Sequence, residues 1–595
     1  MAPLPISEAV IRERATGESY RRGQEYERAG AVLEVVRQGN AVVAEVLGSA
    51  PEPYQVTVSF DAAGITGTEC TCPVEWGWCK HVVATLLVCL HEPDVVEERE
   101  PIAATIDRLD LDQLRAVLVS LAGRDATIAR LIEGEIGRAQ SDPRVPARAE
   151  EPKPTRPIPV DAKALRRQVR GALHGLDRMR SSEAYWHVGS VVGEVRGILE
   201  QAWAFIRAGD GATALTMLEA ITDEYVQEWT TLDDSDGMAG EFFAEIGEAW
   251  TEALLAADLS ADERAVWVDR LGGWADEVAD YGIDDAFATA MDAAEIGWDD
   301  DDLEAVLHGE SAEEGVWHGW GEEVNGGLTI ARLNVLERQG RRDEYLLLAR
   351  AAGLGSYVAA ALVRLERCQE AADYGLTHFA DAGQALTLAQ QLRDRQELEL
   401  AIAVGEHGLA LAGPKGPLAL WLRELAAGLG RRDLALAAAE TAFDEERSLT
   451  SYLRVQELSG DEWPERRERI LERLRRARPF SRLGPVEIFL HEGLIDDAIA
   501  VVDDSNDYHA IEPVVVAAIA TRADWAIRAS KAQAEPLMDR GQAQSYHHAV
   551  RWLGHARDAY LAANRRDEWQ EYVGALMERH ARKYKLVPML KGLGR

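Results

Sequence analysis

Three thiols and an imidazole crowd into one short stretch, Cys70-Thr71-Cys72-Pro73-Val74-Glu75-Trp76-Gly77-Trp78-Cys79-Lys80-His81. No other feature restricts the folding of this chain so tightly. Cys70, Cys72 and Cys79 fall within ten positions of one another, whereas Cys89 and Cys368 stand alone. Free cysteines have no packing reason to cluster in this way, and close Cys/His pairs are how chains assemble a tetrahedral zinc site. Cys70 and Cys72, two apart on an extended segment, point to the same side. Cys79 and His81 follow from the turn that leads into an apolar helix, Val82-Val83-Ala84-Thr85-Leu86-Leu87. The expected metal ligands are therefore Cys70, Cys72, Cys79 and His81, and the expected cofactor is Zn2+. Four good ligands close the coordination shell, which argues for a structural ion and against a catalytic one that keeps a water position open. Glu75 reads as a solvated loop carboxylate. Of Trp76 and Trp78, one is expected to pack the loop and the other to face a partner.

The order Cys-x-Cys, a short loop containing Pro73 and Gly77, then Cys79-Lys80-His81 and an apolar helix resembles the SWIM-type zinc finger, and all four ligand positions of that pattern are filled. The resemblance extends over roughly residues 19 to 91 and implies a zinc-bound ββα-like module whose partner is a nucleic acid or a protein. The residues upstream agree with a small sheet. Ser7 to Gly30 reads as a helix or helix pair with Val10, Ile11, Tyr20 and Tyr26 as apolar contacts. Three β-branched runs follow, Ala31–Val36, Ala41–Leu47 and Tyr54–Phe60, bounded by Gly, Asn and Pro. A three- or four-stranded meander then carries the chain into Cys70. After the helix that ends near Leu90, Glu92 to Glu100 reads as a charged loop, and a further amphipathic helix pair spans Leu109 to Ile132. Arg12, Arg14, Arg21, Arg22, Arg28 and Arg37 alternate with Glu8, Glu13, Glu18, Glu25, Glu27 and Glu34, the pattern of a solvated helix surface rather than of a basic face. Lys80 is placed to offset the thiolate charge or to meet a phosphate.

Six prolines between Ser141 and Val160 define an extended tether. Beyond it Leu, Ala and Glu dominate and strand-like alternation disappears. One phrase recurs at helix joints: Gly340-Arg341-Arg342-Asp343, Gly430-Arg431-Arg432-Asp433 and Asn564-Arg565-Arg566-Asp567, with weaker relatives at Gly209, Gly460 and Gly493. Gly or Asn is expected to close one helix in the left-handed conformation and Asp to cap the next. Spacings of roughly thirty residues fit an α-solenoid of TPR-like helical hairpins. The fold class is thus a small α+β zinc module, a β meander plus a helix, followed by a long all-α region. The domains are expected at 1–138, a linker at 139–160, an acidic helical domain at 161–325, and the solenoid with a basic C-terminal cap at 326–595.

The formal net charge of −38 over 595 residues disfavours nucleic acid and anionic membrane surfaces at long range. No apolar run near twenty residues spans a bilayer, and Met1 to Glu8 lacks a leader pattern. Free thiols suit a reducing interior, so the expected location is cytoplasmic. Asp233, Asp234 and Asp236 superficially suggest a calcium loop. With Gly237 at the sixth position, however, Leu232 and Phe243 would have to be the end ligands. A capped turn is the better reading, as are helix-start carboxylates for Asp299 to Asp302. Two basic stretches, Arg466 to Arg482 and Arg579 to Arg595, are the places where nucleic acid would touch, although an amphipathic helix and a capping helix account for them. No phosphate loop, His-Glu-x-x-His or Gly-x-Ser-x-Gly occurs. The expected function is non-enzymatic recognition of a protein or peptide partner. A nucleic-acid-binding factor is the first alternative, and a hydrolase using Asp233, Asp234 and Asp236 the second.

Overall fold

The computed structural model describes residues 6–48, 50, 53–74, 77–100, 108, 113–115, 117–118, 161–176, 187–310, 325–477 and 481–594. The proline-rich tether, most of the helix pair expected between Leu109 and Ile132, and Trp76 lie outside them. The chain forms two compact units. One comprises Met1–Ala104, Asp381–Leu386 and Gly405–Arg595, the other Thr105–Ala380 and Thr387–Val404.

In the first unit the N-terminal module opens with a helix pair, α1 (Glu8–Arg14) and α2 (Gly17–Arg28), each started by a side-chain cap from Ser7 or Thr16. An antiparallel meander follows: β1 (Val32–Gln38), β2 (Ala41–Val46), β3 (Tyr54–Asp61) and β4 (Gly64–Cys70). Its register sets Val42 opposite Val58 and Val58 opposite Thr68. The alternation in these strands buries Val42, Ala44, Val46, Val56, Val58 and Phe60 on one face. Helix α3 (Lys80–His91) covers that face, with nine consecutive positions from His81 to Cys89 buried. A helix apolar all round must be covered on both sides, and α2 supplies the second cover. Gly23 is what lets it approach, since a Cβ there would sit 2.3 Å from Val83 Cγ1.

The segment expected as a charged loop contains a fifth strand instead. β5 (Glu97–Arg99) pairs parallel with β1, giving the order β4-β3-β2-β1-β5. All three of its side chains are exposed; backbone hydrogen bonding and the surface pair of Arg99 with Glu34 of β1 hold it, and no apolar pattern announces it.

The same unit contains repeat helices Gly416–Gly428, Arg432–Glu445, Leu449–Ser459, Trp463–Arg476 and onward to Leu586–Leu593. Their apolar stripes merge in one core that includes Phe443, Tyr452, Leu471, Phe489, Val514, Leu553 and Leu590. The module is seated on the first of these helices. Arg423 donates to both carboxylate oxygens of Glu13 at 2.7 Å, and Arg14 Nε donates to Glu424 at 3.0 Å. The expectation of a uniformly solvated charge pattern therefore fails at Glu13 and Arg14, while Arg12–Glu8, Arg21–Glu25 and Arg22–Glu18 follow it as surface pairs.

The second unit is helical in its described part. Its core surrounds Trp250, which donates to Thr222 Oγ1 at 2.8 Å and packs on Trp267 and Trp274. The acidic turn before Met238–Ala256 is a cap: Asp234 accepts from the amides of Ala239 and Gly240 at 2.7 and 2.8 Å. Asp300 does the same for Asp301–Leu307, accepting from Asp302 and Leu303. Among the described residues no helix is long and apolar enough to cross a membrane.

The repeated joints behave as expected in one respect and differently in another. Gly340, Gly430 and Asn564 have φ of 71°, 72° and 57°, the left-handed turn that stops a helix. The residue that begins the next helix is arginine rather than aspartate. Arg341, Arg431 and Arg565 occupy the N-cap, and Asp343, Asp433 and Asp567 sit inside the first turn, where a carboxylate meets the positive end of the helix dipole. Arg341 and Arg565 instead fold over the first turn to pair with Glu344 and Glu568. A Cβ on Gly430 would touch nothing within 4 Å. Gly430→Ala is therefore expected to lose only backbone energy, about 1–2 kcal/mol, read as a lower denaturation midpoint with unchanged helicity.

Candidate metal centre

Each donor arrives on a different piece of local structure. Cys70 is the last residue of β4, and Cys72 lies in the bend that follows. The loop returns through Gly77, whose φ of 77° a side chain would resist. Cys79 is the N-cap of α3, and His81 is its second residue. Trp78, immediately before Cys79, is buried and forms a bridge with Ala15, so the return strand of the loop is fastened to the end of α1. Trp78 thus packs the loop.

One donor atom from each of Cys70, Cys72, Cys79 and His81 lies within 4.8 Å of all the others. His81 Nδ1 is 3.7 Å from Cys70 Sγ and 3.8 Å from Cys79 Sγ. A tetrahedron with Zn–S and Zn–N bonds of about 2.3 and 2.0 Å has edges of roughly 3.5–3.8 Å, so the two His81–sulfur separations are close to those of a coordination shell. Three sulfurs and one imidazole are also the donor chemistry that zinc selects. The set is positioned to bind a metal ion, and Zn2+ is the ion it suits. Cys72, Cys79 and His81 are buried and Cys70 is half-buried.

The sulfurs already interact electrostatically. Cys79 is held below the ordinary thiol range by its hydrogen bond with Cys70, helped by His81 and the Val82 amide, against the opposing effect of burial. The same contact with Cys79, together with burial, pushes Cys70 far above the ordinary thiol range. A dication placed among them would displace the remaining protons, as thiolate ligation requires. Cys89, by contrast, is pushed up to about 12 by burial and stays an inert thiol in the core.

Residues that the motif does not contain orient the imidazole. His81 stacks on Tyr54, ring centroids 4.5 Å apart, and meets the edge of Tyr26 at 5.5 Å. Turning Nδ1 toward the sulfurs leaves Nε2 buried, without a hydrogen-bond partner among the described residues. Gly48 permits this stacking: a Cβ there would lie 2.3 Å from the Tyr54 ring and 3.1 Å from His81 Nε2. The sequence signal for Tyr54 was its place at the start of a clean alternating strand. Gly48 carried a signal only as a strand terminator. Lys80 Nζ lies over the Tyr26 ring, 4.5 Å from the centroid. A cavity of 310 Å3 beside the cluster is lined by Thr16, Arg22, Tyr54, Cys72, Lys80 and His81 among others.

The model of the SWIM zinc finger family matches residues 54–90, which contain β3, β4, the loop and most of α3. The zinc finger SWIM domain-containing protein 8 homolog of Drosophila melanogaster is 34% identical over 102 residues, covering 17% of this chain and 5% of that protein. The zinc finger SWIM domain-containing protein 8 of Homo sapiens is 33% identical over 104 residues, covering 17% and 6%. The similarity is therefore confined to a small fraction of these much longer relatives. Among solved structures, the TPR domain of P58(IPK) is 13% identical, with a TM-score of 0.16, over 67% of this chain and 97% of that one. The APC/C hetero-tetramer Cut9–Hcn1 is 12% identical, with a TM-score of 0.14, over 73% and 97%. The helical hairpins described above stand on the chain's own helices and joints. The family match lies on the residues that build the donor cluster: residues 54–90 of this chain form a SWIM-type zinc finger, and a long helical region follows it.

Proposed function

We propose that this protein is a non-enzymatic, zinc-dependent interaction protein. Cys70, Cys72, Cys79 and His81 close around one structural Zn2+, and the repeat helices present a surface to a protein or peptide partner. The observation that carries this reading is the filled donor set: four N/S donors within 4.8 Å of one another leave the ion no position for substrate or water. The free cysteines support a reducing compartment, the cytoplasm.

The charge arrangement favours a protein over a nucleic acid. Arg467, Arg473, Arg475 and Arg482 pair with Glu492, Asp444, Asp497 and Asp504 at 2.6, 2.9, 3.1 and 2.6 Å. Arg466 and Arg476 pair with Glu440 and Glu472. Near the C-terminus Arg579 pairs with Asp539 at 2.8 Å, and Lys583 is bonded to the Met538 carbonyl. Ile470, Leu471 and Leu474 are buried in the repeat core. A guanidinium already matched to a carboxylate releases few counterions on meeting phosphate, so the stretch Arg466 to Arg482 loses most of its pull on nucleic acid.

Two measurements separate the alternatives. Titrating the zinc-loaded full chain into labelled duplex DNA and single-stranded RNA should show no saturable binding in low salt. Affinity capture of nuclease-treated extract on the same protein should retain a partner that rebinds after purification. Tight, steeply salt-dependent nucleic-acid binding, weakened by Lys80→Ala or by replacing the C-terminal basic residues, would overturn the reading.

A further inference from the structure

We infer that zinc governs a second event besides folding of the finger: it holds the N-terminal module on the repeat helix Gly416–Gly428, so that loss of the ion uncovers that helix. The inference rests on the proposed zinc ligation and extends it to a contact whose two sides are 410 residues apart in sequence.

The contact is built at two points. At the first, the consecutive residues Glu13 and Arg14 at the end of α1 meet the consecutive residues Arg423 and Glu424 with charges crossed. Arg423 forks both oxygens of Glu13, and Arg14 pairs with Glu424. The Arg423 side chain is 1% exposed, and those of Glu13 and Glu424 are 16% and 15% exposed. A guanidinium buried to this degree demands its carboxylate, because separating the pair would leave an uncompensated charge out of water. At the second point, the β3–β4 turn lies against Gly428. A Cβ on Gly428 would fall 1.8 Å from the Ala63 carbonyl oxygen and 2.6 Å from Ala63 Cα. Only glycine admits a backbone-to-helix approach that close.

Both points are fastened to the metal site. Glu13 and Arg14 are followed by Ala15, whose backbone bridges Trp78, and the Arg14 guanidinium lies over the Trp78 ring, 5.3 Å from its centroid. Trp78 directly precedes Cys79. The β3–β4 turn leads through β4 to Cys70. A small sheet with one covering helix depends on its metal for stability. When the ion leaves, the loop that carries Trp78 and the end of β4 lose their anchor, and both seats of the contact lose their geometry together. The repeat helix itself stays folded, because it packs on Arg432–Glu445. What changes is the accessibility of Arg423, Glu424 and the small surface at Gly428.

Carboxylate footprinting of the full chain with a water-soluble carbodiimide and a glycine ester, mapped by mass spectrometry, reads this directly. Glu424 reports the contact. Glu492 is the internal control, because it is equally shielded, at 12% exposure, by Arg467 and Tyr452 within the repeats. Removing zinc with a tight chelator should raise Glu424 labelling about fivefold, the change from 15% exposure toward a free side chain, with Glu492 unchanged. In the zinc-loaded chain, Arg423→Glu should open Glu424 to the same extent while zinc stays bound. Combining Glu13→Arg with Arg423→Glu puts two guanidinium groups opposite two carboxylates and should restore shielding. The inference is overturned if chelation exposes the strands while Glu424 stays as slow as Glu492, or if Arg423→Glu leaves Glu424 shielded. Failure of the zinc reading itself would show separately, as absence of zinc from the unmodified protein.

Discussion

Replacing Cys79 with serine is expected to empty the metal site and unfold the N-terminal sheet while the repeat helices keep their helicity. Cys79 does three jobs at once. It supplies a thiol held below its ordinary range, it is the N-cap of α3, and it follows the Trp78 bridge to α1. A serine hydroxyl stays protonated at neutral pH and is a poor zinc ligand, so the shell drops to three donors. Structural zinc contributes on the order of 10 kcal/mol to the folding of small modules. The five-stranded sheet, α3 and the α1–α2 pair share a single small core, so loss of a contribution that large is expected to unfold them. Elemental analysis should fall from one zinc per chain to almost none, and hydrogen exchange should lose its protection in Tyr54–Asp61, Gly64–Cys70 and Lys80–His91. Helical circular dichroism should change little. A Cys79→Ser protein that keeps its zinc and its strand protection would contradict the structural role given to the ion.

Trp250→Ala is the second large effect, and it falls on the other unit. The indole is fully buried between Trp267 and Trp274, beside Leu254 and Phe243 in the same core, and its Nε1–H satisfies Thr222. Truncation removes the largest fully buried side chain of that core, leaves a cavity, and orphans a buried hydroxyl. Cavities of this kind cost about 3–5 kcal/mol, and the lost hydrogen bond adds about 1 kcal/mol. The denaturant midpoint of the helical signal should fall accordingly, with zinc content unchanged. Trp250→Phe keeps most of the volume and should recover more than half of the loss. Equal destabilisation by Ala and Phe would mean that the hydrogen bond, and not packing, holds this core.

These expectations differ in how far the sequence alone leads to them. The metal site is legible because all four donors lie between positions 70 and 81, so the spacing of residues already encodes the geometry. The meander is legible because buried Val42, Ala44 and Val46 alternate with half-buried positions, as do Val56, Val58 and Phe60. Strand β5 is not: Glu97-Glu98-Arg99 has neither apolar period nor β propensity, and its pairing is set by the neighbouring edge of β1. The helix joints are legible where a single dihedral decides them, at Gly340, Gly430 and Asn564. The capping role assigned there to aspartate fails because an arginine can fold back onto a glutamate three residues on and leave the aspartate to the helix dipole.

The seat of the module on Gly416–Gly428 is the least legible feature. Glu13 and Arg14 sit in a run of alternating charges whose other members are surface pairs, and nothing local sets them apart. Their partners lie 410 residues further along. Gly428 is one of 50 glycines, and only the approach of Ala63 shows why it has no side chain. Likewise the basic run Arg466 to Arg482 reads as an amphipathic helix from its apolar stripe, but the counter-charges Glu440, Asp444, Glu492, Asp497 and Asp504 come into view only with the tertiary structure.

X-ray absorption at the zinc edge of the purified full chain tests the central claim most directly. The closed donor set of Cys70, Cys72, Cys79 and His81 predicts one zinc per chain whose nearest neighbours are three sulfurs at about 2.3 Å and one imidazole nitrogen at about 2.0–2.1 Å. A first shell that contains a water or carboxylate oxygen, or fewer than three sulfurs, would contradict it, as would a chain that purifies without zinc and keeps its sheet folded.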